Sequence, residues 1–212
     1  MIVVSGEPRS GTSMQMQIIK AMGLIPIGQK YIHEWNKDLN PGGIWEVEGL
    51  YGLGLTQEIL DGKVGFLSDE PLVGDVIKVT TKGLLKSDPA IVDKVVYCLR
   101  DPREVIVSQR SLKNARGDTI NWENYLRNLV AFTEALDPDD IANILFVDYA
   151  DVMWSPRAEV KRVAKFLDKE PTEEARAIPS PEHYRSKKHK AKVNSVGRAA
   201  IRMYQALRGY IV

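Results

Sequence analysis

The sequence predicts an α/β domain of three layers, α/β/α, built on a mainly parallel central sheet. Three observations carry this. A short apolar run, Ile2-Val3-Val4, leads directly into a glycine-containing turn and then a helical pattern. Similar short apolar runs return at 75–79, 94–99 and 143–147, with helical stretches between them. The 212 residues suffice for one sizeable core and are read as a single domain, 1–212. Strands that alternate with helices favour a parallel sheet covered on both faces.

Each element has its own signal. Residues 2–4 read as a buried strand, because the run is apolar without alternation. A helix is expected from Thr12 to Met22, with Met14, Ile18 and Met22 on one face and Gly23 ending it. Residues 33–54 are rich in Gly, Asn, Pro and Trp and read as an ordered loop, followed by a helix to about Leu60. Asp75–Val79 and Lys94–Leu99 read as the second and third strands. The next helix begins at Pro102, where proline suits the first helical position and Asp101 suits the cap. Asn121–Leu136 is amphipathic, and Asn143–Val147 is another apolar strand. Ser155–Leu167 reads as a helix with Pro156 at its start. Residues 171–195 are Pro-rich and then basic, and Val196–Leu207 reads as a closing helix.

Composition narrows the class. The chain is 44% hydrophobic and 27% charged, as soluble globular proteins are, and its net charge is only +1. No global field draws it to nucleic acid or membrane, so any anion site must be local. The single cysteine, Cys98, excludes an internal disulfide and points to a reducing, cytoplasmic compartment. Its setting, Val95-Val96-Tyr97-Cys98-Leu99, reads as a buried strand thiol. No apolar run is long enough to cross a bilayer, and a core strand at residues 2–5 leaves no room for a signal peptide.

The stretch "VVSGEPRSGTSMQMQII", residues 3–19, has the spacing of a phosphate-binding P-loop. Gly6 and Gly11 let the backbone turn tightly toward a phosphate, and the helix N-terminus behind them adds partial positive charge. Ser10, Thr12 and Ser13 bring hydroxyls. The usual P-loop lysine, which reaches the β- and γ-phosphates of a triphosphate, is replaced by Thr12. Arg9 supplies a cation earlier in the loop. A second stretch, "CLRDPREVIVSQR", residues 98–110, ends a strand with Arg100, a forked donor for a phosphate. Ser108 follows two turns along the next helix.

These two stretches resemble the sulfotransferases that use 3′-phosphoadenosine 5′-phosphosulfate (PAPS). "PRSGTS", Pro8–Ser13, is similar to that family's 5′-phosphosulfate loop at every position. Arg100-Asp101-Pro102 with Ser108 is similar to its 3′-phosphate motif. A third segment, Val147–Pro171, resembles the family's late Tyr-Glu-Asp-Leu region. Tyr149 and Asp151 match there, Ala150 departs and Asp168 replaces a glycine, and the segment is assigned to scaffold. The resemblance implies a P-loop α/β fold and transfer of a sulfuryl group from PAPS to a hydroxyl or amine of a small-molecule or glycan acceptor. No metal is expected. It implies that Arg9 stabilises the departing bisphosphate and that Ser10, Gly11, Thr12 and Ser13 hold the 5′-phosphate. Arg100 and Ser108 hold the 3′-phosphate, and Lys78 lies by the sulfuryl group.

The resemblance leaves the general base open. Many members carry a histidine in a Lys-Thr-His segment, but here "VIKVTTKG", residues 76–83, keeps Lys78 and has Thr80 at the histidine position. Other branches use a glutamate, and "NPGGIWEVEG", residues 40–49, offers Glu46 and Glu48. Glu46 is favoured because Trp45 can shield it from water and raise its pKa; Glu48 and His33 are the alternatives. The basic run 183–192 reads either as a solvated tail or, as the resemblance implies, as a late loop in which Arg185 or Lys188 touches the 3′-phosphate. Tyr31, Trp35, Trp45, Tyr51 and Phe66 line an acceptor pocket or fill the core. Two other readings fit part of the sequence. A P-loop kinase needs a γ-phosphate lysine, for which Lys78 is the substitute; a non-catalytic nucleic-acid binder would use 183–192, where aromatic residues are few.

Overall fold

A computed structural model describes residues 1–26, 75–85, 87, 92–113, 122–136, 143–179 and 195–209. The described elements run β1 (Ile2–Gly6), α1 (Thr12–Ala21), β2 (Val76–Lys78), α2 (Thr81–Leu84), β3 (Lys94–Leu99), α3 (Pro102–Lys113), α4 (Trp122–Glu134), β4 (Ile144–Asp148), α5 (Tyr149–Trp154), α6 (Pro156–Phe166), α7 (Glu173–Ala177) and α8 (Ser195–Arg208). The four strands form one sheet in the order β2-β1-β3-β4, and every pairing is parallel. Register runs through Val3↔Ile77, Val3↔Val95 and Tyr97↔Phe146.

Side-chain alternation gives the sheet two buried faces. Val4, Val76, Val96, Cys98 and Val147 point to one face and pack against α1, α5, α6 and α7. Val3, Ile77, Val95, Tyr97, Leu99 and Phe146 point to the other and pack against residues of α3, α4 and α8. This is the expected α/β/α sandwich, and it explains why the strands read as unbroken apolar runs: both parities are inside. Tyr97 stacks on Phe132 of α4 with ring centroids 3.9 Å apart, and Phe146 meets Tyr97 edge-on at 5.9 Å. Cys98 is buried and free, as its strand setting predicts.

Several boundaries follow from local chemistry. Met14, Ile18 and Met22 are all buried, and Gly23 stops α1 at φ 89° while its N–H bonds the Lys20 carbonyl. Asp101 caps α3 by accepting from the Arg103 N–H at 2.8 Å. Pro156 opens α6. Asp168 takes φ 54° just after α6, the left-handed conformation that favours glycine but that aspartate tolerates.

Three short helices were not expected. α2 starts at Thr81, directly after β2. α5 starts at Tyr149, where Asp148 ends β4 and caps the new helix through the Ala150 N–H at 2.8 Å. α7 lies inside the Pro-rich stretch and is capped by Thr172, whose Oγ1 accepts from the Ala175 N–H at 3.0 Å. Each is too short for a helical period to show in sequence. The second strand is also shorter than expected, Val76–Lys78 in place of Asp75–Val79. The loop and helix read over residues 33–60 lie outside the described residues.

Candidate functional site

The strand order places a crevice beside β1. The chain passes from β1 to β2 on one side, then returns to β3 on the other, so connections leave in opposite directions between β1 and β3. Ligands of open α/β sheets bind outside the strand C-termini at such a switch point. Residues 6–13 follow β1 there, and Arg100 follows β3.

The loop after β1 is built around two glycines. Gly6 has φ 145°, and a β-carbon on it would lie 2.5 Å from the Cys98 carbonyl oxygen and 2.6 Å from Ser10 Oγ. Gly11 has φ 103°, and a β-carbon there would lie 2.6 Å from Cδ2 of Tyr149. The Ser10 N–H bonds the Glu7 carbonyl at 3.0 Å and closes the turn. Arg9, between them, holds φ 79°, an uncommon conformation for a non-glycine residue that often accompanies functional loops. Gly11 is the N-cap of α1 and offers no capping side chain, so the helix N-terminus is presented to the crevice.

The two motifs read from the sequence meet in space. Arg9 Nε donates to Ser108 Oγ at 3.0 Å, across 99 residues. Arg100 Nη1 donates to the Arg9 carbonyl at 3.0 Å, and its Nε donates to Glu104 Oε2 at 3.0 Å. The Arg100 guanidinium also lies over the Tyr149 ring, 4.0 Å from its centroid. Lys78 Nζ donates to Ser13 Oγ at 3.2 Å. β2 thus returns a lysine to the first turn of α1, close to where the loop lacks one. Burial and the neighbouring Arg9 push the Lys78 ammonium down to about 7. Cys98 beneath it is pushed up to about 12 by burial, so it stays a thiol.

Arg9, Ser10, Gly11, Thr12, Ser13, Lys78, Arg100 and Ser108 are therefore drawn together from α1, β2, α3 and the turns that follow β1 and β3. Glu46, Glu48, His33 and the basic run 183–192 lie outside the described residues, as do Tyr31, Trp35, Trp45, Tyr51 and Phe66. Thr80 caps α2 in an extended conformation.

Residues with no assigned role also belong to the site. Tyr149 touches both Gly11 and Arg100; the late segment carried its signal, yet the residue was read as scaffold. Glu7 is 3% exposed, and its Oε2 accepts from Asn128 Nδ2 at 2.9 Å. Burial raises its carboxyl to about 7, against the opposing pull of the Asn128 bond. Tyr125 donates its hydroxyl to the Arg100 carbonyl at 3.2 Å. An acidic residue in a loop whose other charged residue is the cation Arg9 was the only hint of Glu7. Tyr125 and Asn128 had none, because they sit in an ordinary amphipathic helix.

A crevice of this kind, glycine loop and helix N-terminus on one side and an arginine on the other, defines an α/β protein of the P-loop class. The chain belongs to the sulfotransferase family: the sulfotransferase domain matches residues 78–197, more than half of it. Lys78, Arg100 and Ser108 fall inside that match, and the loop at residues 6–13 precedes it. The sulfotransferase domain of the Synechococcus PCC 7002 olefin synthase is 13% identical, with 98% of this chain and 94% of that one covered and a TM-score of 0.52. The sulfotransferase domain of the curacin biosynthetic pathway is 16% identical, covers 98% of this chain and 96% of its own, and has a TM-score of 0.50. A retinol dehydratase in complex with androsterone and inactive cofactor PAP is 18% identical over 99% of this chain and 79% of that one, at a TM-score of 0.47. The first two of these likenesses concern the fold. No curated protein matches the chain. The family makes the protein a sulfotransferase. Among the described residues, no helix is long and apolar enough to cross a membrane.

Proposed function

We propose that the chain moves a sulfuryl group from PAPS to a hydroxyl or amine on a small-molecule or glycan acceptor. The observation that carries the reading is the junction of two anion motifs: Arg9 bonds Ser108, and Arg100 bonds the Arg9 carbonyl. A donor with phosphates at both the 3′ and 5′ positions of one nucleoside needs two such sites at a fixed spacing. The residues suit it. The buried Ser10 hydroxyl has no protein partner among the described residues, and Gly11 lets the Tyr149 ring close against the loop beside it.

In this reading Ser10, Gly11, Thr12 and Ser13 hold the 5′-phosphate through backbone and hydroxyls. Arg100 and Ser108 hold the 3′-phosphate. Arg9 and Lys78 offset the charge that builds on the leaving oxygen as its bond to sulfur breaks. Glu46 takes the acceptor's proton, with Glu48 and His33 the alternatives. The acceptor oxygen or nitrogen forms the new bond to sulfur, and adenosine 3′,5′-bisphosphate departs. No metal enters this scheme, because the sulfuryl group carries less charge than a phosphoryl group.

Thermal shift with three ligands tests it. Adenosine 3′,5′-bisphosphate is expected to raise Tm more than adenosine 5′-monophosphate at equal concentration, since only ligand bound to the folded state stabilises it. ATP with magnesium is expected to do less than the bisphosphate. Equal shifts for the bisphosphate and the monophosphate would remove the 3′-phosphate site. A dominant ATP–magnesium effect would transfer the protein to the kinase reading.

A further inference from the structure

Both phosphate loops are tied to one helix that belongs to neither motif. α4 faces the sheet through Tyr125, Leu129 and Phe132, all buried. Tyr125 and Asn128 stand three residues apart, hence on neighbouring positions of one helix face. The Tyr125 hydroxyl holds the Arg100 carbonyl at 3.2 Å, and Asn128 Nδ2 holds the Glu7 carboxylate at 2.9 Å. Arg100 carries the donors of one loop. Glu7 sits in the other, and its own carbonyl closes the turn on the Ser10 N–H. A shift of either contact therefore moves a phosphate ligand directly.

The chemistry of the Glu7 contact argues for a positional role. A buried carboxyl is costly to keep, and the second oxygen of Glu7 has no protein partner among the described residues. An apolar side chain would stabilise the same spot at least as well. What an apolar residue lacks is direction: the carboxylate–amide bond fixes the loop at one height along α4, as the Tyr125 bond fixes Arg100. The groups facing Glu7 include Asn128 and Tyr125 from α4, Thr81 and Lys82 from α2, and Tyr97 from β3.

We propose that Tyr125 and Asn128 are positioning residues that set the spacing between the two phosphate loops, and so the preference for a nucleoside carrying both 3′- and 5′-phosphates over one carrying the 5′-phosphate alone. The inference rests on the two-phosphate reading above. α4 acts as a caliper: each loop binds its own phosphate, and the helix determines whether one rigid ligand spans both.

Calorimetric titration of the full chain with adenosine 3′,5′-bisphosphate and with adenosine 5′-monophosphate tests it. Tyr125→Phe removes a single oxygen and keeps the ring in the core. Asn128→Asp sets two carboxyl groups against each other, and Glu7→Gln/Asn128→Asp re-forms the bond with donor and acceptor exchanged. Tyr125→Phe and Asn128→Asp are each expected to weaken the bisphosphate by about tenfold, some 1.4 kcal/mol, and the monophosphate by less than about threefold. The exchanged pair is expected to recover most of the lost preference. Unchanged preference in both single variants, or equal loss for both ligands, overturns the proposal. A wild-type chain that prefers neither ligand overturns the two-phosphate reading itself, and the caliper with it.

Discussion

Arg9 carries three constraints at once. Its backbone is held at φ 79°, its carbonyl accepts from Arg100, and its Nε donates to Ser108. A side chain so held is preorganised before any ligand arrives, which is what charge stabilisation in a transition state requires. Arg9→Ala is expected to lower turnover by about 10²–10³-fold while weakening bisphosphate binding by less than about tenfold. Parallel losses in both would show that the residue only binds. Glu7 makes a different prediction. Its carboxyl lies at about 7 in the folded chain against an ordinary 4.5, because burial outweighs the Asn128 bond. Between those values the folded state keeps a proton that the unfolded state has released. Stability therefore falls as pH rises from 4.5 to about 7 and levels off above. The loss amounts to about 3 kcal/mol at roughly 1.4 kcal/mol per pKa unit. Urea midpoints across this range should fall more steeply for wild type than for Glu7→Gln; matching slopes would show that Glu7 ionises normally. Asp148, whose carboxyl burial also raises, contributes to both proteins and cancels in the difference.

At the scale of elements, the site depends on α5 as much as on the two motifs. α5 exists because Asp148 ends β4 and caps the next turn, held there by the Tyr204 hydroxyl and by Arg208 at 3.3 Å. That turn delivers Tyr149 to the gap between Gly11 and Arg100. Gly11→Ala should push the ring away and unseat Arg100, since the new β-carbon would lie 2.6 Å from it. Gly23→Ala is the control, because Gly23 also has positive φ, 89°, but no atom within 4 Å of the added carbon. Both variants pay a backbone cost of about 1–2 kcal/mol. Only Gly11→Ala is expected also to lose bisphosphate affinity, by about tenfold or more in a titration. Equal affinities in the two variants would separate Tyr149 from the site.

The whole molecule joins site and core through the face of the sheet that meets α3, α4 and α8. Tyr97 hydrogen-bonds Thr81 at 2.9 Å and stacks on Phe132, so the core beneath Glu7 is aromatic. Phe132 is 3% exposed, and Phe132→Ala is expected to cost about 3–5 kcal/mol in urea unfolding. A cost under about 1 kcal/mol would mean that α4 can collapse onto the sheet without it.

The layer architecture and the two loop motifs that meet beside β1 were legible because each is local. A parallel strand buried on both faces is a short apolar run whatever surrounds it. A loop that must turn on Gly6 and Gly11 before a helix leaves a fixed spacing in the chain, and so does Arg100 eight residues before Ser108. The cysteine was readable as a buried thiol for the same reason. The sequence could not show that Arg9 bonds Ser108, that Lys78 reaches Ser13, or that Tyr149, Tyr125 and Asn128 surround the loops. Those contacts join residues far apart in the chain, 121 positions for Glu7 and Asn128. They depend on strand order. Only when β1 lies between β2 and β3 do the ends of all three open onto one crevice, with α4 beneath it. Local propensity is blind to that order, which is decided by which apolar faces can be buried together.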